Sequence, residues 1–190
     1  MTPTEDDNAA RGERRANLLA RLRALAMVSG RDIRLASGRT SDIYFDMKMA
    51  MFDPETISLI AEAILDVLRE RRAGQIGGLE MGAVPIVGAV VCKSFPESPI
   101  SGFFVRKAVK AHGTQRKIEG FFDPATTTVL LEDVTTTGGS VMEALQAVRN
   151  AGGTATTVLT VVDREEGAGA NLAREGVELV SLYTKSDFRD

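Results

Sequence analysis

Glu132 and Asp133 are adjacent carboxylates set between two very different stretches of chain. Before them runs an apolar segment, residues 128–131. After them come Val134, Thr135, Thr136, Thr137, Gly138, Gly139 and Ser140, mostly small hydroxylated and glycine residues, and then an amphipathic stretch, residues 141–149. Strand, acidic pair, small-residue loop and helix, in that order, build a pocket for a sugar phosphate. The loop N–H groups and the helix N-terminus hold an anion, and the carboxylates accept hydrogen bonds from sugar hydroxyls. Consecutive side chains on a strand point to opposite faces. The two acids therefore straddle a crevice rather than touch, which suits two neighbouring hydroxyls better than a shared proton. No lysine follows the glycines, so this is not a Walker A loop. An acidic strand end with a helix cap beyond it is the plainer alternative.

Three other groups carry chemistry. Arg106, Lys107, Lys110, Arg116 and Lys117 fall within twelve residues that contain no acid, with His112 among them. A basic loop after an apolar run balances the charge of a leaving pyrophosphate and closes over it; a solvated basic loop is the alternative. Arg164 follows the apolar run 155–162 and can fork onto a substrate carboxylate or ring carbonyl, or pair with Asp163, Glu165 or Glu166. Gly82, in the segment 79–85, belongs to a loop that can offer backbone N–H groups to a diphosphate, or that merely connects a strand to a helix. Gly167-Ala168-Gly169 lacks the third glycine of a dinucleotide loop.

The elements that must position these groups follow from periodicity. Residues 11–28 carry Leu18, Leu22, Leu25 and Ala26 at helical spacing. Residues 32–49 alternate around Ser37-Gly38 and read as a β-hairpin. Asp53-Pro54 is an N-cap with proline at the first helical position. A helix with Ile57, Ile60, Ala61, Ile64 and Leu68 on one face follows, closed by Gly74. Beyond it, apolar runs at 75–79, 102–105, 128–131, 155–162 and 177–182 alternate with helical stretches, which predicts an α/β fold with a mainly parallel sheet flanked by helices. Four runs end in polar residues: Glu80, Arg106, Glu132-Asp133 and Asp163-Arg164. In a parallel sheet these ends share the edge where ligands bind.

The chain has 190 residues, 44% apolar and 26% charged, with a net charge of −3. One domain over 1–190 is expected, with residues 1–10 frayed. The charge gives no push towards nucleic acid, although Arg11, Arg14, Arg15, Arg21 and Arg23 gather on the first helix. The longest apolar run, 83–92, contains Pro85 and is too short for a membrane span, and residues 1–10 are no signal peptide. The single cysteine, Cys92, lies in that run, reads as a buried structural thiol and fits a reducing cytoplasm. One His and one Cys rule out a His/Cys zinc site.

Residues 128–140 resemble the phosphoribosyl-pyrophosphate signature of type I phosphoribosyltransferases. The run Phe104-Val105-Arg106-Lys107-Ala108-Val109-Lys110-Ala111-His112-Gly113, ending in Ile118-Glu119-Gly120, resembles the catalytic loop of orotate phosphoribosyltransferases, and Ser37-Gly38 followed by Tyr44-Phe45 resembles their N-terminal hairpin. The resemblance spans residues 33–167. It implies the type I fold with an N-terminal helix and β-hairpin hood (31–49), a mobile catalytic loop (107–119), and the conversion of orotate and phosphoribosyl pyrophosphate to orotidine 5′-monophosphate and pyrophosphate. It assigns Glu132 and Asp133 to the ribose hydroxyls and Thr135 to Ser140 to the 5′-phosphate, with Val134 also against phosphoribosyl pyrophosphate. Arg106, Lys107, Lys110 and His112 go to the pyrophosphate, with Lys110 foremost. Thr136, Arg164, Tyr44, Phe45 and Lys48 go to orotate. Mg²⁺ is expected to be held mainly through the diphosphate substrate, and the enzyme to be a homodimer with shared sites, acting on neither nucleic acid nor membrane. Many family members carry a lysine at the position of Gly82 and some at Ala36; this chain has neither. Another base transferase of the same fold and a non-catalytic sensor of the diphosphate are the alternatives.

Overall fold

Helix α1 (Glu5–Leu25) buries Leu18 and Leu22 and stops short of the predicted Val28. Ala26 donates the closing bond to the Leu22 carbonyl at 2.9 Å, and Met27 and Val28 pair instead with Phe45 and Tyr44. The structure, a computed structural model, describes residues 5–34, 40–108 and 116–189. The helix begins at Glu5, inside the stretch expected to fray. The chain divides into two compact units, residues 1–59 and 60–190.

In the first unit, β1 (Met27–Arg34) and β2 (Thr40–Phe45) pair antiparallel. The expected hairpin is present but starts earlier, and its Ser37-Gly38 turn lies outside the described residues. Along β2, Ile43 and Phe45 are buried while Tyr44 is exposed. The pairing ends sooner than predicted because Asp46 caps a short helix, α2 (Met47–Met51), accepting the Lys48 N–H at 3.2 Å. Met-Lys-Met-Ala-Met is a run of good helix formers. Asp53 caps α3 (Pro54–Arg71) as its sequence predicts, accepting the N–H of Thr56 at 2.8 Å and its hydroxyl at 2.6 Å. Ile60, Ala61, Ile64 and Leu68 are buried along α3. The helix ends at Arg71, and Arg72 just after it, with a φ of 52°, makes the left-handed turn expected of Gly74.

The second unit is a six-stranded sheet. Its elements are β3 (Gln75–Gly77), α4 (Ala83–Ser94), β4 (Ser101–Val105), β5 (Ile118–Gly120), β6 (Thr128–Thr135), α5 (Gly139–Asn150), β7 (Ala155–Asp163), α6 (Ala168–Arg174) and β8 (Glu178–Thr184), then a 3₁₀ turn, Lys185–Phe188. The order is β5-β4-β3-β6-β7-β8. All neighbours are parallel except β5, which runs antiparallel to β4. The periodicity missed β5, whose three residues are too few to show alternation. Phe103, Leu130, Val141, Leu145, Val158 and Leu172 belong to the core between sheet and helices. On α4 the buried positions are Ala83, Ile86, Val87, Val90 and Ser94, spacings of three and four. Cys92 falls opposite that stripe and is exposed, which corrects the expectation of a buried thiol. No helix among the described residues is long and apolar enough to cross a membrane.

Gly78 sets how closely β3, β6 and α4 meet. A Cβ there would lie 2.3 Å from the Leu131 carbonyl oxygen and 2.4 Å from the Ala83 Cβ. Neither a strand carbonyl nor a helix Cβ can swing away. Gly78→Ala is therefore expected to destabilise the fold by roughly 1–3 kcal/mol through overpacking, measured as a lower urea midpoint with unchanged slope.

Candidate active site

The carboxyl ends of β3, β4, β6 and β7 are tied into one edge by main-chain hydrogen bonds. Val105 donates to Gly78 and Glu80 donates to Val105, both at 2.8 Å; Arg164 donates to Thr135 at 2.9 Å. The strand β6 runs further than its apolar stretch suggested. Val134 and Thr135 still pair with Val162 and Asp163, so the acids stand within the strand, two residues from its end.

Glu132 lines a cleft with Thr135, Thr136, Gly138, Ser140 and Val141. It is 7% exposed, and its Oε2 has no hydrogen-bond partner among the described residues; the buried Thr135 hydroxyl has none either. Asp133 turns to another neighbour. A Cβ on Gly82 would lie 2.5 Å from Asp133 Oδ1, so the carboxylate occupies the place a side chain at position 82 would take. Asp133 Oδ1 also accepts the Val134 N–H at 2.8 Å. The acids take different further neighbours, but a hydrogen bond also joins them, which corrects the expectation that they straddle the crevice without touching. Burial pushes the Glu132 carboxyl well above the usual carboxylate range, the Asp133 charge and hydrogen bond push it further, and Lys107 pulls it back.

Past β6 the chain turns through Gly138, whose φ of 87° is the left-handed region that favours glycine. α5 starts at Gly139 with no side-chain cap, and its first bond runs from the Met142 N–H to the Gly138 carbonyl. The N–H groups ahead of it have no partner within the helix and face an anion's place. Asn171 on α6 steadies this loop by donating from Nδ2 to the Thr137 carbonyl at 2.9 Å. Nothing in the sequence marks Asn171, because its role depends on α6 folding back over the loop.

The basic residues divide. Lys107 donates its N–H to Glu80 Oε1 at 2.9 Å, and Arg106 Nε reaches the Ala108 carbonyl at 3.3 Å. Lys110 and His112 lie outside the described residues. Arg164 is buried and pairs with Glu166 at 2.9 Å, the ion-pair alternative left open by its sequence. Thr136 stands in the loop after β6. Tyr44, Phe45 and Lys48 belong to the first unit; Phe45 serves its packing, while Lys48 Nζ pairs with Asp46 at 2.7 Å.

No family model matches the chain. An orotate phosphoribosyltransferase of Rhodopseudomonas palustris is 48% identical over 179 residues, covering 92% of this chain and 95% of the relative. Among solved structures, the orotate phosphoribosyltransferase of Mycobacterium tuberculosis H37Rv in complex with Fe(III) dicitrate matches with a TM-score of 0.81 and 36% identity, over 92% of this chain and 98% of the other. The same enzyme in complex with 5-phospho-α-D-ribosyl 1-diphosphate matches with a TM-score of 0.77 and 31% identity, over 92% and 98%.

The raised Glu132 has a consequence for stability. Folded chains hold this proton to a higher pH than unfolded ones. Between the ordinary value, ~4.3, and the raised one the folded state binds more protons, so stability falls as pH rises across that window. Glu132→Gln removes the loss. Without ligand its melting temperature is expected to exceed that of wild type at pH 8, by roughly 2–4 °C per kcal/mol relieved, and to match it near pH ~4. Coincident melts at pH 8 would count against a buried, proton-holding Glu132.

Proposed function

The chain belongs to the orotate phosphoribosyltransferase family, and on that premise we propose how its residues divide the reaction. The enzyme transfers ribose 5-phosphate from phosphoribosyl pyrophosphate to orotate, giving orotidine 5′-monophosphate and pyrophosphate. The observation that carries the residue assignment is the pair of buried, unpartnered oxygens, Glu132 Oε2 and Thr135 Oγ1, beside the uncapped start of α5. Buried polar atoms ordinarily have partners, and a sugar phosphate supplies both: hydroxyls for the carboxylate, phosphate oxygens for the Thr135 hydroxyl and the N–H groups of residues 139–141.

Breaking the bond from the anomeric carbon to the diphosphate leaves positive charge on the ribose. The electron pair departs with the pyrophosphate, and a ring nitrogen of orotate bonds to the carbon as its N–H proton is released to the pyrophosphate or to solvent. This chain needs no nucleophile of its own; it positions the partners and balances their charges. Glu132 and Asp133 hold the ribose hydroxyls close to the developing charge, while Arg106, Lys107, Lys110 and His112 take the diphosphate. Arg164 sits one residue past β7, where its guanidinium can be shared between Glu166 and the orotate carboxylate. Thr136 joins it on the base side. On the family resemblance, Tyr44, Phe45 and Lys48 also serve orotate; of the two rings, Tyr44 is the one that solvent reaches.

Mg²⁺ fits this arrangement. The crevice offers Glu132 and Asp133 as oxygen donors of the kind Mg²⁺ takes. The ion would be held mainly by the diphosphate and the ribose hydroxyls, where it supplies charge neutralisation. The resemblance also supports a single phosphoribosyltransferase domain over residues 1–190, a loop at 107–119 that closes over the diphosphate, and a cytoplasmic homodimer with shared sites.

Loss of orotate absorbance in the presence of phosphoribosyl pyrophosphate and Mg²⁺ tests the reading, with adenine and other bases as controls. Turnover of another base but not orotate would overturn it. Lys110→Ala is expected to lower kcat by about ten-fold to a thousand-fold, the range of a lost transition-state contact. Wild-type kcat in that variant would remove Lys110 from the chemistry.

A further inference from the structure

Lys117 closes the basic loop at its far end, and its contacts are not those of a substrate ligand. The stems of the loop are joined by the Arg106 N–H to the Lys117 carbonyl at 2.9 Å, continuing the β4–β5 ladder. Lys117 Nζ then turns back across this junction. It donates to the Lys107 carbonyl at 2.9 Å and to Glu143 Oε1 on α5 at 2.6 Å. On the other side of Lys107, Glu80 Oε1 accepts its N–H at 2.9 Å. The backbone N–H and C=O of Lys107 are thus gripped by side chains anchored on different elements: Glu80 from the loop after β3, and Lys117 braced by Glu143 on the helix that opens the phosphate site. Only the Lys107 side chain is left to point, and its charge acts on Glu132.

We propose that Lys117 and Glu143 form a positioning pair that aims Lys107 at the diphosphate by clamping its main chain to α5, so that the phosphate end and the pyrophosphate end of the substrate are registered through one chain of contacts. The inference rests on the diphosphate role given to Lys107 above. Neither Lys117 nor Glu143 touches substrate in this scheme. Their side chains are 33% and 42% exposed, so the ion pair adds little to stability. Its effect belongs in the kinetics.

Steady-state kinetics and calorimetric binding of phosphoribosyl pyrophosphate with Mg²⁺, on the full chain, test this with Lys117→Met and Glu143→Gln. Each is expected to weaken diphosphate-substrate binding and lower kcat/KM for it by about ten-fold, the scale on which a misplaced contact is felt. KM for orotate should stay within about two-fold and the melting temperature within about 2 °C, since an exposed pair is involved. In a Lys107→Ala background either change should add less than about two-fold, because coupled residues are non-additive. Wild-type affinity and kinetics in both variants would overturn the clamp. So would a Lys117→Met loss undiminished in the Lys107→Ala background, which would make Lys117 a direct ligand. Because binding is read without orotate, failure of wild type to consume orotate would strike the reading of the reaction and leave the clamp to be judged on affinity.

Discussion

Two carboxylates on consecutive residues of a strand covered on both faces form an unfavourable arrangement, and the second unit is organised around it. Burial disfavours the charge on Glu132, the Asp133 charge disfavours it further, and no hydrogen bond relieves Oε2. Apolar residues at this position would stabilise the sheet better. The strain is bearable because β6 is an inner strand, paired with β3 on one side and β7 on the other. The free chain therefore keeps a proton on this buried pair, and the positive charge that develops on the sugar is what favours its release.

The surrounding loops are fixed by main-chain contacts rather than by large side chains. Gly78 lets β3 press against the Leu131 carbonyl, Gly138 turns the chain into α5, and bonds through Val105 and Thr135 lace the strand ends together. Side-chain braces then act on the backbone of the loops: Asn171 on Thr137, and Glu80 and Lys117 on Lys107. Substrate groups therefore meet loops whose carbonyls and N–H groups are already engaged on their far side, which lowers the ordering that binding would otherwise demand.

The sheet was legible in the sequence because buried parallel strands read as continuous apolar runs, and five of them stood clear of their neighbours. Their shared edge was legible too, from the polar residues that end four of the runs. Interruptions of pattern were not. β5 is only three residues long. The left-handed turn after α3 falls on Arg72 while Gly74 stood nearby as the obvious candidate. Cys92 looked buried because its whole segment is apolar, yet the helical stripe 83, 86, 87, 90, 94 leaves it outside. Within the site, the residue types and their order pointed to a sugar phosphate, but no one-dimensional pattern tells which acid beside Arg164 will pair with it, or that Lys117 bends back onto Lys107. Such facts belong to distances between elements far apart in the chain.

Gly82 and Asp133 share one volume. The α-helical backbone at Gly82, φ −57° and ψ −42°, is open to any residue, and only the Asp133 carboxylate stands where its side chain would begin. The two positions are thus a single steric unit written at two places in the sequence. A lysine engineered at 82 to supply the cation this chain lacks would require the Asp133 carboxylate to swing aside, so the side chain at 82 and the rotamer of the acid are chosen together.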